Sequence, residues 1–472
     1  MDLANKNVLV IGAARSGIAA AKTIRNLQLG IRNYTASTIP NSKFQIPHCI
    51  LSDAKLEHEI NFDFGELRAL GIELRFGKQT EELLRRTDLI IVSPAVPIKI
   101  PLLKSAAAKN IPIISEVELA YDLAKSPICA VTGTNGKTTT VTLLGLLLEQ
   151  KFDNVGVGGN IGVPLCEVAL TVGAGGCIAA EISSYQMEAT KNFRPHVSAI
   201  LNVTPDHLKR HGSMEVYQLM KEKIFAQETA EDFLVLNFDD ERTREMIDRA
   251  NCRVLYFSRK AELAEGAFVA NNRLVIKFDG ETHELCTVDE LGIKGGHNVE
   301  NALAAALTAF LVGVDAQKIS DVLKTFQGVE HRIEFVREIN GVKFYNDSKA
   351  TNTDSAIKAL ETFAGHIVLI AGGDDKLTDL TDFLHFVNER VDWLILVGDA
   401  AKRFRTCAVE QNFPAEKILD AGYSMQRAVE LAAEIARAPQ VVLLSPACAS
   451  FDMYSDFEER GRDFKRIVHE LK

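Results

Sequence analysis

The segment Val131-Thr132-Gly133-Thr134-Asn135-Gly136-Lys137-Thr138-Thr139-Thr140 concentrates glycine, lysine and hydroxyl groups in a pattern suited to holding phosphate. Glycines let backbone N–H groups turn toward phosphate oxygens, and a helix that starts there favours negative charge. Lys137 is then placed to reach the terminal phosphates of a nucleoside triphosphate, and Thr138 to hold a divalent metal. The long form G-x-x-x-x-G-K-[ST] is not met, because Val131 stands at its first glycine; the shorter G-x-x-G-K-T form is. A glycine-rich turn with an incidental lysine is the alternative.

Two more residues follow apolar runs. Glu181 comes where the run 177–182 stops and Ser183-Ser184 begins, a place from which a hard oxygen can meet magnesium. His207 lies in Asn202-Val203-Thr204-Pro205-Asp206-His207-Leu208-Lys209-Arg210-His211-Gly212, with Tyr217 and Lys221 beyond. A strand ending in His207 puts an imidazole at the carboxyl edge of a sheet, where open α/β sheets bind ligands. Taken singly, His207 reads as a loop histidine and Lys221 as a solvated helix cation. Two such strand-end residues after a phosphate loop strengthen each other.

These groups need a scaffold. Short β-rich runs alternate with helical stretches along all 472 residues, the pattern of α/β folds with parallel sheets. The spacing predicts three domains: an N-terminal Rossmann-like domain over 1–125, a central P-loop ATPase-like parallel sheet over 126–328, and a C-terminal doubly wound Rossmann-like domain over 329–472. Expected strands are 8–11 and 89–92 in the first block. The second has 128–132, 177–182 and 197–203, with helices over 141–150 and 298–313. The third has 367–371, 393–397 and 441–444. Gly328, at the joint 327–329, is the expected hinge.

Composition narrows the function classes. Lys plus Arg is 53 against 63 for Asp plus Glu, a net charge of −10 without the footprint of a nucleic-acid or anionic-membrane binder. Apolar residues at 47% and charged residues at 25% exclude intrinsic disorder. No apolar run reaches the ~18 residues of a membrane helix. The N-terminal stretch lacks a basic n-region and reads as a first strand, not a signal peptide. Eight scattered cysteines without C-x-x-C suit reduced thiols in the cytoplasm.

After the first expected strand, Gly12-Ala13-Ala14-Arg15-Ser16-Gly17 looks like a dinucleotide fingerprint. Ala14 replaces its middle glycine, and Asn33 stands near the expected ribose-binding acid, which argues against NAD. The loop can still cradle a diphosphate at a helix start.

The segments 133–140, 181–186 and 202–212, together with Gly295-Gly296-His297-Asn298-Val299-Glu300-Asn301, resemble the Mur ligases of bacterial peptidoglycan synthesis. These are ATP-dependent amide-forming enzymes related to folylpolyglutamate synthetase. Segments 115–119, 346–352 and 445–452 resemble the branch that adds D-glutamate to UDP-N-acetylmuramoyl-L-alanine. The resemblance spans all three blocks. It implies ATP contacts from Gly133, Thr134, Asn135, Gly136, Lys137, Thr138, Thr139, Asn298 and Asn301, with Arg332 reaching the terminal phosphate. It implies two magnesium ions held by Thr138, Glu181, His207 and Lys221, the last as a carbamate. Lys137, His207, Lys221 and Arg332 are the implied catalytic groups. Gly12, Ser16, Gly17, Ser93, Asn160 and Ser183 fall to the UDP substrate, and Lys349, Thr351, Lys376, Ser450 and Phe457 to D-glutamate. Residues 33–35 depart from the family's acidic strand end. A cytoplasmic monomer with small-molecule substrates, binding no nucleic acid and not inserting into membranes, is expected. The rival readings are a ligase adding a diamino acid, a folylpolyglutamate synthetase, and a nucleotide-dependent switch.

Overall fold

The computed structural model of the protein describes residues 3, 6–29, 48–60 and 62–471. Three sheets organise them. The chain divides into two compact units, Met1–Leu291 with Glu300–Thr325, and Gly292–Val299 with Phe326–Lys472. No described helix is long and apolar enough to cross a membrane.

The first sheet has five parallel strands in the order Glu73–Phe76, Cys49–Asp53, Val8–Ile11, Leu89–Val92, Ile113–Ser115. Val8–Ile11 is buried throughout, as expected of a parallel strand covered on both faces. Asn33 lies outside the described residues. The strand beside Val8–Ile11 is instead Cys49–Asp53, and its terminal acid is Asp53, whose Oδ2 accepts the Ala13 N–H at 2.7 Å. A run Cys-Ile-Leu-Ser-Asp carries this signal, but its distance from the first helix hid it.

The central sheet has nine strands, ordered Glu281–Thr287, Arg273–Phe278, Gly266–Ala270, Arg253–Ser258, Phe233–Asn237, Val197–Ile200, Ile128–Thr132, Cys177–Glu181, Val155–Gly159. It is parallel from Gly266–Ala270 onward and closes on the other side in an antiparallel meander. The sequence reading expected only the parallel part. The strand before His207 stops at Ile200, so the histidine follows on a loop. The helix after the phosphate loop is Lys137–Leu148, starting earlier than expected. Its threonines are poor helix formers, yet left-handed Gly136 (φ +84°) sets the start regardless.

In the first unit the two sheets share one apolar core, and helix Glu116–Leu123 locks them together. Buried Glu118 accepts N–H bonds from Lys191, Asn192 and Phe193. Buried Glu116 accepts from Cys166 at the start of helix Leu165–Thr171.

The third sheet, in the second unit, runs Glu334–Ile339, Val342–Asn346, Val441–Leu444, Ile367–Gly372, Val391–Val397, Ile418–Asp420. Only its first pair is antiparallel, a hairpin turned by left-handed Asn340 and Gly341. Alternate residues feed two cores: Leu369, Leu394 and Leu443 meet Phe383 and Phe404, while Val368, Ile370 and Ile395 meet Phe344 and Phe464. That alternation is the doubly wound arrangement.

Candidate functional site

The phosphate loop leaves a fully buried strand, Ile128–Thr132, and enters the helix Lys137–Leu148. Gly136 is required twice over: its φ is left-handed, and a Cβ there would lie 2.2 Å from Asn301 Oδ1. Asn301 sits on helix Gly296–Leu311 and accepts from Thr140 Oγ1 at 3.3 Å. The loop is stitched to the segment after Val197–Ile200. Asn135 N–H donates to Asn202 Oδ1 at 2.8 Å, and Thr134 Oγ1 contacts Thr204 and the Tyr217 hydroxyl. Lys137 Nζ folds back onto the carbonyls of Gly133 and Thr134, at 2.8 and 2.7 Å. Thr138 is half-buried and Thr139 buried in the first turn.

Glu181 ends its strand 1% exposed. Its Oε1 accepts from Asn160 Nδ2 at 2.9 Å, whereas Oε2 is buried with no hydrogen-bond partner. A buried carboxylate oxygen left unmatched is costly, and a divalent cation suits it. Asn160 also gives its carbonyl to Arg15 at 2.7 Å, so it joins the central sheet to the Gly12 turn. There Gly12 (φ +100°) packs on Ser93 and Val96, and Gly17 lies under the Gly12 carbonyl; an added Cβ at either would collide. Ser93 is buried and Ser16 half-buried. Ser183 caps helix Ser184–Met187 and is bonded to Gln186.

His207 is left-handed (φ 55°) and half-exposed, with Nδ1 3.1 Å from the Tyr185 hydroxyl and Nε2 3.5 Å from Asp206. Lys221, on helix Met214–Glu222, is 1% exposed, its Nζ 4.4 Å over the Tyr217 ring. It has no ion-pair partner among the described residues. Burial, helped by the nearby Lys137 charge, holds its amine well below the usual lysine range. A neutral amine is the form that adds to carbon dioxide. The phosphate loop, Asn160, Glu181, Ser183, His207, Lys221, Asn301 and the Gly12–Ser93 cradle thus all fall in the first unit.

The second unit holds the rest. Asn298 is buried and donates to the Lys294 carbonyl. Arg332 is flanked by left-handed His331 and Ile333, a costly conformation held by surrounding bonds. Asn346 Nδ2 reaches His331 Nδ1 at 2.8 Å, and Lys349 N–H donates to the His331 carbonyl. Arg332 lies 3.8 Å from the fully buried Asp347, whose carboxyl burial pushes up to about 6 against the pull of Arg332. Glu330, His331 and Glu334 cluster, but Lys465 already bridges the two carboxylates.

Lys349 Nζ stands 4.7 Å over the Phe457 ring, and Lys376 Nζ donates to the Thr351 carbonyl at 3.1 Å. These residues and buried Ser450 follow the carboxyl ends of strands in the third sheet. Buried Arg460 ties their loops together, donating to Ser348 Oγ and to the carbonyls of Ser348, Cys448 and Ala449. Sequence reasoning missed Arg460 and Asp53, and carried Asn202, Tyr185 and Arg210 only inside motifs, without a role. Only Asp53 closes a recognisable strand; the others are set by tertiary contacts.

Residues 131–309 match the Mur ligase middle domain and residues 331–448 the Mur ligase glutamate ligase domain. UDP-N-acetylmuramoylalanine–D-glutamate ligase of Thermoanaerobacter pseudethanolicus is 44% identical over 472 residues, covering all of both chains. A pseudomurein peptide ligase type C from Methanothermus fervidus shares the fold with a TM-score of 0.59 at 19% identity, covering 99% of this chain and 100% of that one. UDP-N-acetylmuramate-alanine ligase from Thermotoga maritima shares it at 0.58 and 20% identity, with the same coverage.

Proposed function

Since the chain belongs to the Mur ligase family, we propose that it joins D-glutamate to UDP-N-acetylmuramoyl-L-alanine in cytoplasmic peptidoglycan precursor synthesis, as a monomer consuming ATP. The observation that carries this is the match to ligases of that name along the whole chain, at 44% identity. The proposed domains are 1–125 for the UDP substrate, 126–328 for ATP and 329–472 for the amino acid.

In this reading the alanine carboxylate attacks the terminal phosphorus of ATP, giving an acyl phosphate and ADP. The amine of D-glutamate then attacks the acyl carbon, and the tetrahedral intermediate expels phosphate. Lys137 leaves its own loop's carbonyls to meet the β- and γ-phosphates, and Gly133, Thr134, Asn135, Gly136 and Thr139 shape the cradle around them. Asn298 and Asn301 take the nucleoside side, and Arg332 offers a guanidinium fork to the transferring phosphoryl group. Gly12, Ser16, Gly17 and Ser93 cradle the UDP diphosphate; Asn160 and Ser183 hold the acyl end. Lys349 and Lys376 pair with the two carboxylates of D-glutamate, with Thr351, Ser450 and Phe457 closing around it.

Thr138, Glu181, His207 and Lys221 suit two magnesium ions, a fit supported by the unmatched Glu181 oxygen and the uncompensated Lys221 amine. Bound magnesium supplies Lewis-acid neutralisation of phosphoryl charge. Lys221 joins that set by adding its amine to carbon dioxide and releasing a proton, which leaves a carbamate anion.

Phosphate release with ATP, UDP-N-acetylmuramoyl-L-alanine and each of D-Glu, L-Glu, meso-diaminopimelate and L-Lys tests the proposal. Only D-Glu is expected to turn over efficiently, because a diamino acid brings an ammonium toward Lys349 and Lys376. Faster turnover with meso-diaminopimelate moves the assignment to a diamino-acid ligase. Phosphate release without any amino acid favours a nucleotide switch.

A further inference from the structure

Arg210 lies three residues after His207, and the proposed reaction gives it no role. Its side chain is 16% exposed and its guanidinium is extensively bonded. Nε and Nη2 form a fork on the Glu188 carboxylate at 2.9 and 2.8 Å. Nη2 also donates to the carbonyls of Val96 at 2.9 Å and Pro94 at 3.3 Å, and Nη1 reaches that of Ala95 at 3.5 Å. The guanidinium carbon stands 4.9 Å over the Tyr185 ring, and the Tyr185 hydroxyl is the group at His207 Nδ1.

Two places of different chemistry meet at this one side chain. Loop 94–96 follows buried Ser93 and packs on Gly12, so it forms the wall of the diphosphate cradle. Tyr185 sets the imidazole on the other side. For Nε2 to present its lone pair to a cation, Nδ1 must carry the proton and donate it to Tyr185 Oη. The ring that carries the accepting hydroxyl lies under the same guanidinium that grips the cradle wall. A lysine cannot reproduce this, because one ammonium lacks the planar fork that serves a carboxylate and three carbonyls together.

We propose that Arg210 is a positioning residue that couples occupancy of the Gly12–Ser93 cradle to cation affinity at His207, through Glu188 and Tyr185. The inference rests on the UDP and metal readings above and adds an energetic link between them. A diphosphate that settles loop 94–96 settles Arg210, hence Tyr185 and the imidazole. By linkage the cation tightens nucleotide binding by the same factor.

The test measures Mn2+ affinity by electron paramagnetic resonance on the full chain, with a constant ATP analogue, with and without UDP-N-acetylglucosamine. This probe has the diphosphate but no carboxylate. Because a diphosphate can itself chelate Mn2+, a titration of Mn2+ with the nucleotide sugar in the absence of protein is subtracted, and direct ligation in the site is recognised as a coupling that persists in the Arg210 variants. In the parent the probe is expected to tighten Mn2+ about fivefold, within the usual range of site coupling. In Arg210→Ala and Arg210→Lys the factor is expected to fall to about one, while each ligand still binds alone. Arg210→Lys keeps the charge and serves if the alanine variant does not fold. Tyr185→Phe is expected to weaken Mn2+ and lose the coupling without changing affinity for the nucleotide sugar alone. Undiminished coupling in the Arg210 variants, or no coupling in a parent that binds both ligands, overturns the relay. A parent that fails to bind the nucleotide sugar overturns the UDP reading, and the relay with it.

Discussion

Replacing Gly136 by alanine tests the phosphate loop through its backbone. The residue sits at φ +84°, and its new Cβ would stand 2.2 Å from Asn301 Oδ1. Holding an L-residue in the left-handed region costs about 1–2 kcal/mol. Asn301 is 5% exposed and must swing away, giving up its bond with Thr140, a further ~1 kcal/mol. If binding an ATP analogue requires the parent loop shape, the total of about 2–3 kcal/mol weakens it roughly 30- to 140-fold. Isothermal titration with a non-hydrolysable analogue reads this directly. Pairing the change with Asn301→Ala removes the colliding atom but leaves the φ cost, so the double variant should fall short of the additive loss by about 1 kcal/mol. Affinity within about threefold of the parent, with the fold intact, would refute the argument that this loop geometry holds the triphosphate.

Lys137→Ala is expected to lower turnover about 10²–10³-fold in the coupled phosphate assay, as for other lost contacts to a developing charge. Lys221→Met should be inactive yet more stable at neutral pH, since an uncompensated amine leaves the core. The amine's folded pKa lies below its ordinary 10.5, so the unfolded chain binds the extra proton between the two values and parent stability rises with pH toward 10.5. Urea unfolding across pH should show that slope in the parent and not in the variant, and native mass spectrometry under bicarbonate should find added carbon dioxide in the parent alone. Asp347 has the opposite sign: folded, it keeps its proton to about 6, against 3.8 when unfolded, so stability falls as pH rises across that window. Asp347→Asn should flatten this fall in the same titration.

Buried parallel strands were legible because they read as unbroken apolar runs, as in Val8–Ile11, Ile128–Thr132 and Val441–Leu444. The meander Gly266–Thr287 was not, because its apolar residues come in short stretches broken by charge, with Arg273 and Lys277 near the ends of the second strand and Glu-Thr-His-Glu opening the third. The phosphate loop declares itself locally through Gly133, Gly136 and Lys137. Arg210 and Arg460 do not, since an arginine that binds carbonyls distant in the chain looks in sequence like any surface arginine. Asn202 was visible only as part of a motif; its pairing with Asn135 needs two strands side by side.

The outer strand of the central sheet, Glu281–Thr287, ends the meander, and among the described residues no further strand pairs with its outer row of backbone N–H and C=O groups. Such a row is a template for any other extended chain, including a second copy emerging from synthesis. Here the first half of the strand reads Glu-Thr-His-Glu, with both glutamates exposed, while its apolar Leu285 and Cys286 are buried. An approaching copy in antiparallel register would bring carboxylates face to face; Arg273, 3.5 Å from Glu284, offsets one of them, and His283, 3.6 Å from Glu281, offsets the other only when protonated. Glu281–Thr287 therefore guards one of the sheet's two edges against a strand from another molecule, the other edge being Val155–Gly159.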